Sequence, residues 1–296
     1  MVHVLVIGSI NMDLVTQTPE FPRLGQTLFG SQFATHPGGK GANQAVAAAR
    51  LGARVTLVGR VGSDAFGRDL KEGLAREGVD TRWVTEAADS SGVASITVCN
   101  GDNAILVVQG ANALLSPDDL DAAESAFASA DVVVSQLEVP LATVEYAARL
   151  AERNGRPFML NPAPAMKLPR ALLERCRLVT PNEYELGTAL GQPQGRWQDL
   201  LPQLPGRVVM TKGAEGAYYT DGSGKVLHQD AFRVKPIDST GAGDTFSGAL
   251  ATFWHLGFAE AVRRGCAAAA LSVTKPGAQD GMPTLAELEA FLGSPG

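Results

Sequence analysis

Short apolar runs alternate along this chain with longer stretches that have the apolar spacing of α-helices. Each run is roughly five to seven residues long and apolar throughout, which is typical of strands covered on both faces of a sheet. Parallel strands need crossover connections, usually helices, so the alternation predicts an α/β fold with a doubly wound, mostly parallel sheet flanked by helices. The predicted strands lie at 2–8, 54–59, 131–137, 157–161, 177–182 and 207–213. The predicted helices lie at 41–51, 64–77, 117–129, 140–154, 182–190, 242–256, 258–274 and 284–292.

Two segments, residues 10–37 and 81–111, depart from this pattern. They contain strand-like runs in which apolar and polar residues alternate, as in a sheet with one solvated face. We expect them to form a small β-sheet lid inserted into the α/β core, which would comprise residues 1–9, 38–80 and 112–296. Such a lid could exclude water from a transfer reaction. Decoration of a sheet edge is the alternative.

Charge and cysteine content exclude several classes of protein. A net charge of −6 with no basic run argues against a nucleic-acid partner. No apolar stretch approaches the ~18 residues that span a bilayer, and the N-terminus lacks the basic segment of a signal peptide. Cys99, Cys176 and Cys266 lie in apolar settings, as expected of reduced core residues. These features predict a cytoplasmic protein without a membrane partner.

A glycine-rich stretch, STGAGDTFSG at 239–248, precedes an apolar helix. The unpaired N–H groups and the dipole at a helix N-terminus attract anions, and small residues let a phosphate approach the backbone. Asp244, in its middle, could equally be a helix cap, and this stretch alone does not separate the two interpretations. It matches neither the phosphate-binding loop that ends in Gly-Lys nor the dinucleotide fingerprint.

A second glycine-rich stretch, residues 37–52, also leads into a helix and carries Lys40 and Asn43. Upstream, Asn11 and Asp13 are two residues apart after the first strand, so an extended chain would point both side chains the same way. A carboxylate and an amide can each contact neighbouring hydroxyls of a sugar. A turn held by side-chain hydrogen bonds is the alternative.

Both glycine-rich stretches resemble signatures of the PfkB family of carbohydrate kinases, GGKGANQAVAAARLG at 38–52 and DSTGAGDTFSGALA at 238–251. The likeness extends over nearly the whole chain, including NPAPA at 161–165 and TPNEYE at 180–185. It is greatest to members that phosphorylate D-ribose. The resemblance implies ATP-dependent phosphorylation of the 5-hydroxyl of D-ribose, giving D-ribose 5-phosphate and ADP. It also implies Mg²⁺, activation by K⁺, and a homodimer formed through the lid.

Two alternatives to D-ribose phosphorylation stay open. Another family kinase could act on deoxyribose, fructose, 2-keto-3-deoxygluconate or a nucleoside. A sugar-binding protein that has lost catalysis is the second, although an intact Asp244 argues against it.

The resemblance also implies a role for each matching position. The anion hole would consist of Gly241, Ala242 and Gly243, with Asp244 as the catalytic base. The sugar would be held by Asn11, Asp13, Gly39, Lys40, Asn43, Glu138 and Asp244. The nucleotide would lie along Thr211, Gly213, Gly216 and Gly243, with Asn182 and Glu185 supporting Mg²⁺ and phosphate through water. The monovalent cation would be held at Asp238, Thr240, Ser272, Lys275, Gly277 and Gly281. At the last of these positions a glycine replaces a frequent serine ligand, which removes a side-chain oxygen.

An aspartate beside a polyanion is chemically reasonable in a kinase. Phosphoryl transfer depends on positioning and charge neutralisation, and a sugar hydroxyl needs an acceptor for its proton. Backbone N–H groups would stabilise charge on the phosphate, and Mg²⁺ would offset the repulsion between the phosphate and Asp244.

Overall fold

The computed structural model of the protein describes residues 1–100 and 102–293. Residue 101, in the predicted lid, and residues 294–296, in the predicted core, lie outside the described residues. The strands are β1 (His3–Ile7), β2 (Asn11–Gln17), β3 (Gln32–Gly38), β4 (Arg54–Gly62), β5 (Val79–Ala87), β6 (Gly92–Cys99), β7 (Asp102–Val108), β8 (Val132–Ser135), β9 (Phe158–Leu160), β10 (Leu178–Val179), β11 (Val209–Thr211), β12 (Ala217–Thr220) and β13 (Val226–Gln229).

The α-helices are α1 (Lys40–Arg50), α2 (Ala65–Arg76), α3 (Pro117–Ala122), α4 (Glu124–Ser129), α5 (Leu141–Arg153), α6 (Arg170–Arg175), α7 (Glu183–Ala189), α8 (Trp197–Leu200), α9 (Ala242–Phe253), α10 (Phe258–Ser272), α11 (Ala278–Gly281) and α12 (Leu285–Gly293). Short 3₁₀ turns lie at Gly110–Leu114, Leu201–Gln203, Gly213–Glu215 and Trp254–Leu256. The predicted helix at 117–129 is divided into α3 and α4, and α6, α8 and α11 were not predicted. Within residues 1–100 and 102–293, no helix combines the length and apolar character needed to cross a bilayer.

Six parallel strands form the central sheet in the order β10-β9-β8-β1-β4-β5. The sheet is covered on both faces, as its apolar strands predict. Val4 and Val6 of β1 pack into a cluster with α1, α9 and α10. Leu5 and Ile7 pack into the opposite cluster, with α4, α5 and α6. The predicted doubly wound α/β fold is confirmed.

A second sheet, ordered β3-β2-β6-β7, is built from both chain segments that depart from the α/β pattern. In it β2 pairs antiparallel with β3 and parallel with β6, and β6 pairs antiparallel with β7. Residues 81–87 were predicted to belong to this lid, but they lie in β5 and pair with β4 in the central sheet. β5 is an edge strand in which only Val79, Val84 and Ala87 are buried, so it lacks the continuous apolar run of the inner strands.

The strand predicted at 207–213 was expected to extend the parallel sheet. It does so only in part: parallel bridges at Val179–Val208 and Asn182–Thr211 join this segment to the end of the central sheet. β11, β12 and β13 form a separate antiparallel sheet, in which β12 pairs with β11 and β13 pairs with β12. This small sheet forms one side of the cleft described below.

Close packing of α1 against α9 decides where the site residues lie. A Cβ atom built on Gly248 would lie 2.8 Å from the Cβ of Ala47 and 2.8 Å from the carbonyl oxygen of Gln44. Small residues at this contact therefore let the two helices approach closely. The approach brings the first turn of α9, which carries Asp244, beside the first turn of α1.

Candidate active site

The site lies where the strand order of the central sheet reverses. In doubly wound folds, ligands bind beside the carboxyl ends of the strands at this switch point. Here the reversal occurs at β1, whose neighbours are β4 and β8. Asn11 and Asp13 follow β1, and Glu138 follows β8. The topology thus brings together side chains that are more than a hundred residues apart.

The GGKG run packs the start of α1 against the turn that follows β1. A Cβ atom on Gly41 would lie 2.5 Å from the carbonyl carbon of Gly8, and one on Gly39 would lie 2.7 Å from the backbone nitrogen of Asn11. Gly39 also has a φ of 87°, which favours glycine. A Cβ atom on Gly38 would lie within 2.4 Å of the Asp13 carboxylate. These glycines are required by contacts within the chain.

The carboxylates of Asp13, Glu138 and Asp244 and the ammonium group of Lys40 form a polar cluster beside this turn. The Glu138 carboxylate accepts hydrogen bonds from the Ser9 hydroxyl (2.6 Å) and from the backbone N–H of Lys40 (3.1 Å). Burial raises the pKa of Asp13 to about 7, with Glu138 and Asp244 contributing repulsion. The negative charge of Asp244 raises the pKa of the Lys40 ammonium, so this cation stays charged despite its burial.

The side chain of Asn11 is held in one orientation by Asn112. Asn112 Nδ2 donates to Asn11 Oδ1 (2.7 Å) and to the carbonyl of Ile10 (3.1 Å), and its Oδ1 accepts from the backbone N–H of Ile10 (2.9 Å). Both asparagines are buried. Asn112 is therefore a supporting residue that the sequence interpretation missed.

The Asp244 carboxylate is buried and bonded to α1. Its Oδ2 accepts from Asn43 Nδ2 (3.1 Å) and its Oδ1 accepts from Gln44 Nε2 (3.0 Å). The N-cap residue of α9 is Gly241, and no side chain caps this helix. The capping interpretation of Asp244 is therefore wrong, because the carboxylate is directed towards another helix.

The start of α9 has the bare backbone expected of an anion site. Gly241 has a left-handed φ of 75°, and a Cβ atom there would lie 3.0 Å from the Cβ of Ala278. A Cβ atom on Gly243 would meet nothing within 4 Å. Packing within the chain therefore does not explain why residue 243 lacks a side chain.

Two cavities meet at this helix start. The smaller, of about 200 Å³, is lined by Lys40, Asn161, Ala163, Thr180, Asn182, Glu185, Thr211, Ser239, Gly241, Ala242, Gly243 and Asp244. The larger, of about 1150 Å³, is an open and mainly apolar cleft that begins at Thr211, Gly213 and Gly216. Both cavities are lined by Ala242 and Gly243. The large cleft therefore leads to the backbone that lies beside Asp244.

Asn182 and Glu185 form a reciprocal capping box at the start of α7. Asn182 Oδ1 accepts from the backbone N–H of Tyr184 (2.9 Å) and of Glu185 (2.8 Å), and Glu185 Oε2 accepts from the backbone N–H of Asn182 (2.8 Å). The sequence interpretation did not foresee this structural role, although the N-x-x-E spacing indicates it. Burial raises the pKa of Glu185 above its ordinary value, despite the hydrogen bond from Asn182 and the charge of Lys40.

The residues predicted to hold a monovalent cation converge in a loop beside α9. The Asp238 carboxylate accepts from the backbone N–H of Thr240 (2.9 Å) and of Gly277 (2.9 Å). Burial opposes ionisation of Asp238, but these hydrogen bonds outweigh it and lower the pKa. A Cβ atom on Gly281 would lie 2.4 Å from the Ser272 carbonyl oxygen and 3.6 Å from that of Lys275. A side chain at position 281 would therefore fit only if the Ser272 carbonyl moved.

Several polar residues that support the site were not singled out from the sequence. They are Ser9, Gln44, Asn112, Gln136, Asn161 and Gln279. Gln44 stands next to Asn43 within the first signature, so the motif itself was a signal for it. The others are distant from Asp244 in sequence, and the fold brings them to the site, where Ser9 bonds Glu138 and Asn112 bonds Asn11.

The fold and the site together define a class of protein. A doubly wound sheet carrying an open helix N-terminus beside a buried carboxylate is suited to phosphoryl transfer onto a small polar molecule. The chain matches the pfkB family of carbohydrate kinases over residues 1–285, and it belongs to that family. It is therefore a phosphotransferase with an alcohol group as acceptor.

Individual relatives match along nearly the whole chain. The chain is 41% identical to a ribokinase from Bacillus subtilis, covering 98% of this chain and 99% of the relative. It is 37% identical to a deoxyribokinase from Salmonella typhi, covering 98% of each. A ribokinase structure from Thermotoga maritima is similar with a TM-score of 0.91 and 31% identity, covering 99% of this chain and 100% of that one. The ribokinase of Arabidopsis thaliana, solved with ribose and ATP, is similar with a TM-score of 0.87 and 29% identity, covering 100% of each chain.

Proposed function

We propose that the protein catalyses the ATP-dependent phosphorylation of D-ribose at its 5-hydroxyl, giving D-ribose 5-phosphate and ADP. The observation that carries this proposal is the position of Asp244. Its buried carboxylate lines the small cavity together with Lys40 and the open backbone at Gly243, and it lies near enough to Asp13 and Lys40 to raise the pKa of each. Similarity to ribokinases over the full chain supports ribose as the acceptor.

The polar cluster beside the turn after β1 would bind and orient the sugar. Asn11, Asp13 and Glu138 offer oxygen acceptors to its hydroxyls, and the Lys40 ammonium and Asn43 amide offer donors. Gly39 would contribute its backbone, because no side chain fits there. Such convergent, rigid polar contacts place one hydroxyl for reaction, and the remaining hydroxyls supply the binding free energy.

Asp244 would accept the proton of the 5-hydroxyl as that oxygen attacks the terminal phosphate. The new bond joins the sugar oxygen to phosphorus while the bond between this phosphorus and the bridging oxygen of ADP breaks. The backbone N–H groups at the start of α9, formed by Gly241, Ala242 and Gly243, would stabilise charge on the transferring oxygens. The nucleotide would occupy the large cleft beside Thr211, Gly213 and Gly216, with its phosphates at Gly243.

Mg²⁺ would be held mainly by the phosphates of ATP and, through water, by Asn182 and Glu185. The donor set fits, because amide and carboxylate oxygens suit this ion and it usually retains several waters. Both residues line the small cavity with Gly243. When bound, the ion neutralises phosphate charge during transfer.

A monovalent cation, K⁺ in the first instance, would be held beside the anion hole. The oxygen donors proposed for it are the Asp238 carboxylate and the carbonyls of Thr240, Ser272, Lys275 and Gly277. The ionised Asp238 and the two carbonyls facing Gly281 fit a cation. Since Gly281 supplies no side-chain oxygen, water would complete the shell. When bound, the cation would add positive charge beside the phosphate.

The lid would serve as a dimer interface. Residues 105–108 of the edge strand β7 are four consecutive apolar residues, and their side chains are 50–77% exposed. An exposed apolar edge strand is a template for pairing with another chain. We propose a homodimer through this sheet, in the cytoplasm, where the free thiols of Cys99, Cys176 and Cys266 would stay reduced.

Deoxyribose is the second candidate acceptor, because the chain is 37% identical to a deoxyribokinase. A site built to hydrogen-bond a hydroxyl discriminates strongly against an analogue that lacks it. Ribose and deoxyribose differ only at the 2-hydroxyl, so their relative kcat/KM reports whether that hydroxyl is recognised.

The test is ADP release by the purified protein with ribose, deoxyribose, fructose, 2-keto-3-deoxygluconate and nucleosides as acceptors. We expect the highest kcat/KM with ribose and a product phosphorylated at the 5-position by NMR. A higher kcat/KM with deoxyribose would select the second candidate. Preference for a nucleoside or a hexose, or no turnover with any acceptor, would contradict the proposal.

A further inference from the structure

The Asp244 carboxylate is held by two chains of side-chain amides. In the first chain, Gln136 Nε2 donates to Gln44 Oε1 (2.6 Å), and Gln44 Nε2 donates to Asp244 Oδ1 (3.0 Å). Gln44 and Gln136 are fully buried. In the second chain, Gln279 Nε2 donates to Asn43 Oδ1 (3.1 Å), and Asn43 Nδ2 donates to Asp244 Oδ2 (3.1 Å). Each carboxylate oxygen thus has its own amide donor.

The ionised carboxylate determines which way each amide points in the first chain. A carboxylate accepts hydrogen bonds only, so Gln44 presents its Nε2 to Asp244 and its Oε1 to Gln136. Gln44 Nε2 also donates to Asn161 Oδ1 (3.2 Å), while Asn161 Nδ2 donates to the carbonyl of Thr180 (2.8 Å). Every hydrogen bond of Gln44 therefore agrees with a negative Asp244.

The far end of the first chain of amides is the side chain of Gln136, which packs against Gly8. Gln136 Oε1 is buried and has no hydrogen-bond partner among the described residues. A Cβ atom on Gly8 would lie 2.1 Å from this oxygen, so glycine at position 8 makes room for the Gln136 side chain. A buried acceptor without a partner destabilises the fold. Gln136 nevertheless keeps this orientation, in which its Nε2 donates to Gln44 Oε1.

We propose that Gln44 is a positioning residue for phosphoryl transfer, and that Gln136 fixes the orientation of the Gln44 amide. This inference rests on the proposed function, because it assumes that Asp244 is the base. Gln44 keeps the carboxylate in one rotamer, so that the unshared electron pairs on the carboxylate oxygens face the sugar hydroxyl. Gln44 itself donates to Asp244 and Asn161 and lies behind the carboxylate, not in the lining of the small cavity.

Gln44→Met tests this inference, since methionine keeps the unbranched shape and removes both polar atoms. We expect kcat to fall by about 10²-fold, as for a misplaced catalytic group. The KM for the sugar should change by less than about threefold, because Gln44 does not contact the substrate. A fall in kcat with KM retained distinguishes a positioning role from a general loss of structure.

Gln44→Glu sharpens the test. A second carboxylate removes the amide donor and repels Asp244, so kcat should fall at least as far as in Gln44→Met, again with little change in KM. Thr252→Val is the matched control, because Thr252 is a buried polar residue of α9, the helix that carries Asp244, and its hydroxyl donates to the Gly248 carbonyl (2.9 Å). This control should keep the wild-type kcat and KM.

A wild-type kcat in a folded Gln44→Met protein, or a fall in kcat matched by an equal rise in KM, would overturn the inference. If that variant does not fold, Gln136→Met takes its place, because Gln136 donates to Gln44 and not to Asp244. It should lower kcat by less than Gln44→Met and leave KM unchanged, and a wild-type kcat would overturn the inference. The kinetics use whichever sugar the wild-type protein phosphorylates best, so an acceptor other than ribose refutes only the ribose proposal. A wild-type protein inactive with every sugar would refute both.

Discussion

The two glycine-rich stretches look alike in sequence but differ in what requires their glycines. In the first stretch, Cβ atoms on Gly39 and Gly41 would lie 2.7 and 2.5 Å from backbone atoms of the turn after β1. In the second, a Cβ atom on Gly243 would meet nothing within 4 Å. The first stretch is glycine-rich so that two parts of the chain can touch. In the second, Gly248 packs closely against α1 as well, but Gly243 leaves space at the helix start that no part of the chain fills within 4 Å.

This difference separates folding from chemistry within one site. The packing of the first stretch sets the position of Lys40 and Asn43, so substituting its glycines should lower the free energy of unfolding. The second stretch combines open N–H groups with Asp244, so substituting these residues should lower the rate of turnover. Four substitutions or conditions test this division.

The largest expected effect is that of Asp244→Asn. An amide cannot take up the proton of the sugar hydroxyl, so we expect kcat to fall by about 10²–10⁴-fold. Ribose affinity, measured by calorimetry without nucleotide, should remain close to that of the wild type. Wild-type turnover in this variant would show that Asp244 is not the base, and the proposed difference between the two stretches would then be wrong.

Gly41→Ala should act on the fold. The new methyl group would clash with backbone atoms of residues 8 and 9, at 2.5–2.7 Å, and neither neighbour can rotate away. We expect the free energy of unfolding to fall by about 1–3 kcal/mol, the usual cost of overpacking. Urea denaturation monitored by circular dichroism measures it, and an unchanged midpoint would show that the turn after β1 can yield.

Gly243→Ala should have the opposite profile. With no clash within the chain, the free energy of unfolding should stay within about 1 kcal/mol of the wild type. We expect kcat/KM for ATP to fall by about tenfold, since a methyl group at the helix start displaces the phosphate from the N–H groups.

Gly73→Ala is the matched control for this variant, because Gly73 lies within α2 and a Cβ atom there would approach only the end of the Arg76 side chain, at 3.7 Å. It should leave kcat/KM unchanged. If Gly243→Ala also left kcat/KM unchanged, the second stretch would not be the phosphate site.

The smallest expected effect is a pH dependence of sugar binding. Because burial and the neighbouring carboxylates Glu138 and Asp244 raise the pKa of Asp13 to about 7, this carboxyl is protonated below that pH and loses acceptor capacity. The Kd for ribose should therefore rise by up to about tenfold between about pH 8 and about pH 6.

Calorimetry of Asp13→Asn provides the control for this pH effect. Its Kd should vary less over the same range, since an amide does not titrate there. An equal pH dependence in both proteins would assign the effect to another group. A raised carboxyl pKa also makes the folded state bind the proton more tightly than the unfolded state, so Asp13 lowers stability as the pH rises towards 7.

Strong local patterns predicted the architecture well and weak ones did not. Continuous apolar runs located β1, β4, β8, β9 and β10. The edge strand β5 was assigned in part to the lid, because it lacks the continuous apolar run of the inner strands and its sequence does not show which sheet it joins. The N-x-x-E spacing predicted residues that support Mg²⁺, which stays a prediction, but not the capping box that these residues form at α7.

Sequence alone determined the family, the doubly wound fold and the residue types at the site, because both signatures and the apolar periodicity are local properties of the chain. Tertiary structure decided what those residues do to one another. The capping and base interpretations of Asp244 were equal on its own stretch. The approach of α1 to α9 at Gly248 excludes the capping interpretation, since it directs the carboxylate to Asn43 and Gln44. Hydrogen bonds between residues about two hundred positions apart leave no periodic trace in the sequence, and only the folded chain reveals them.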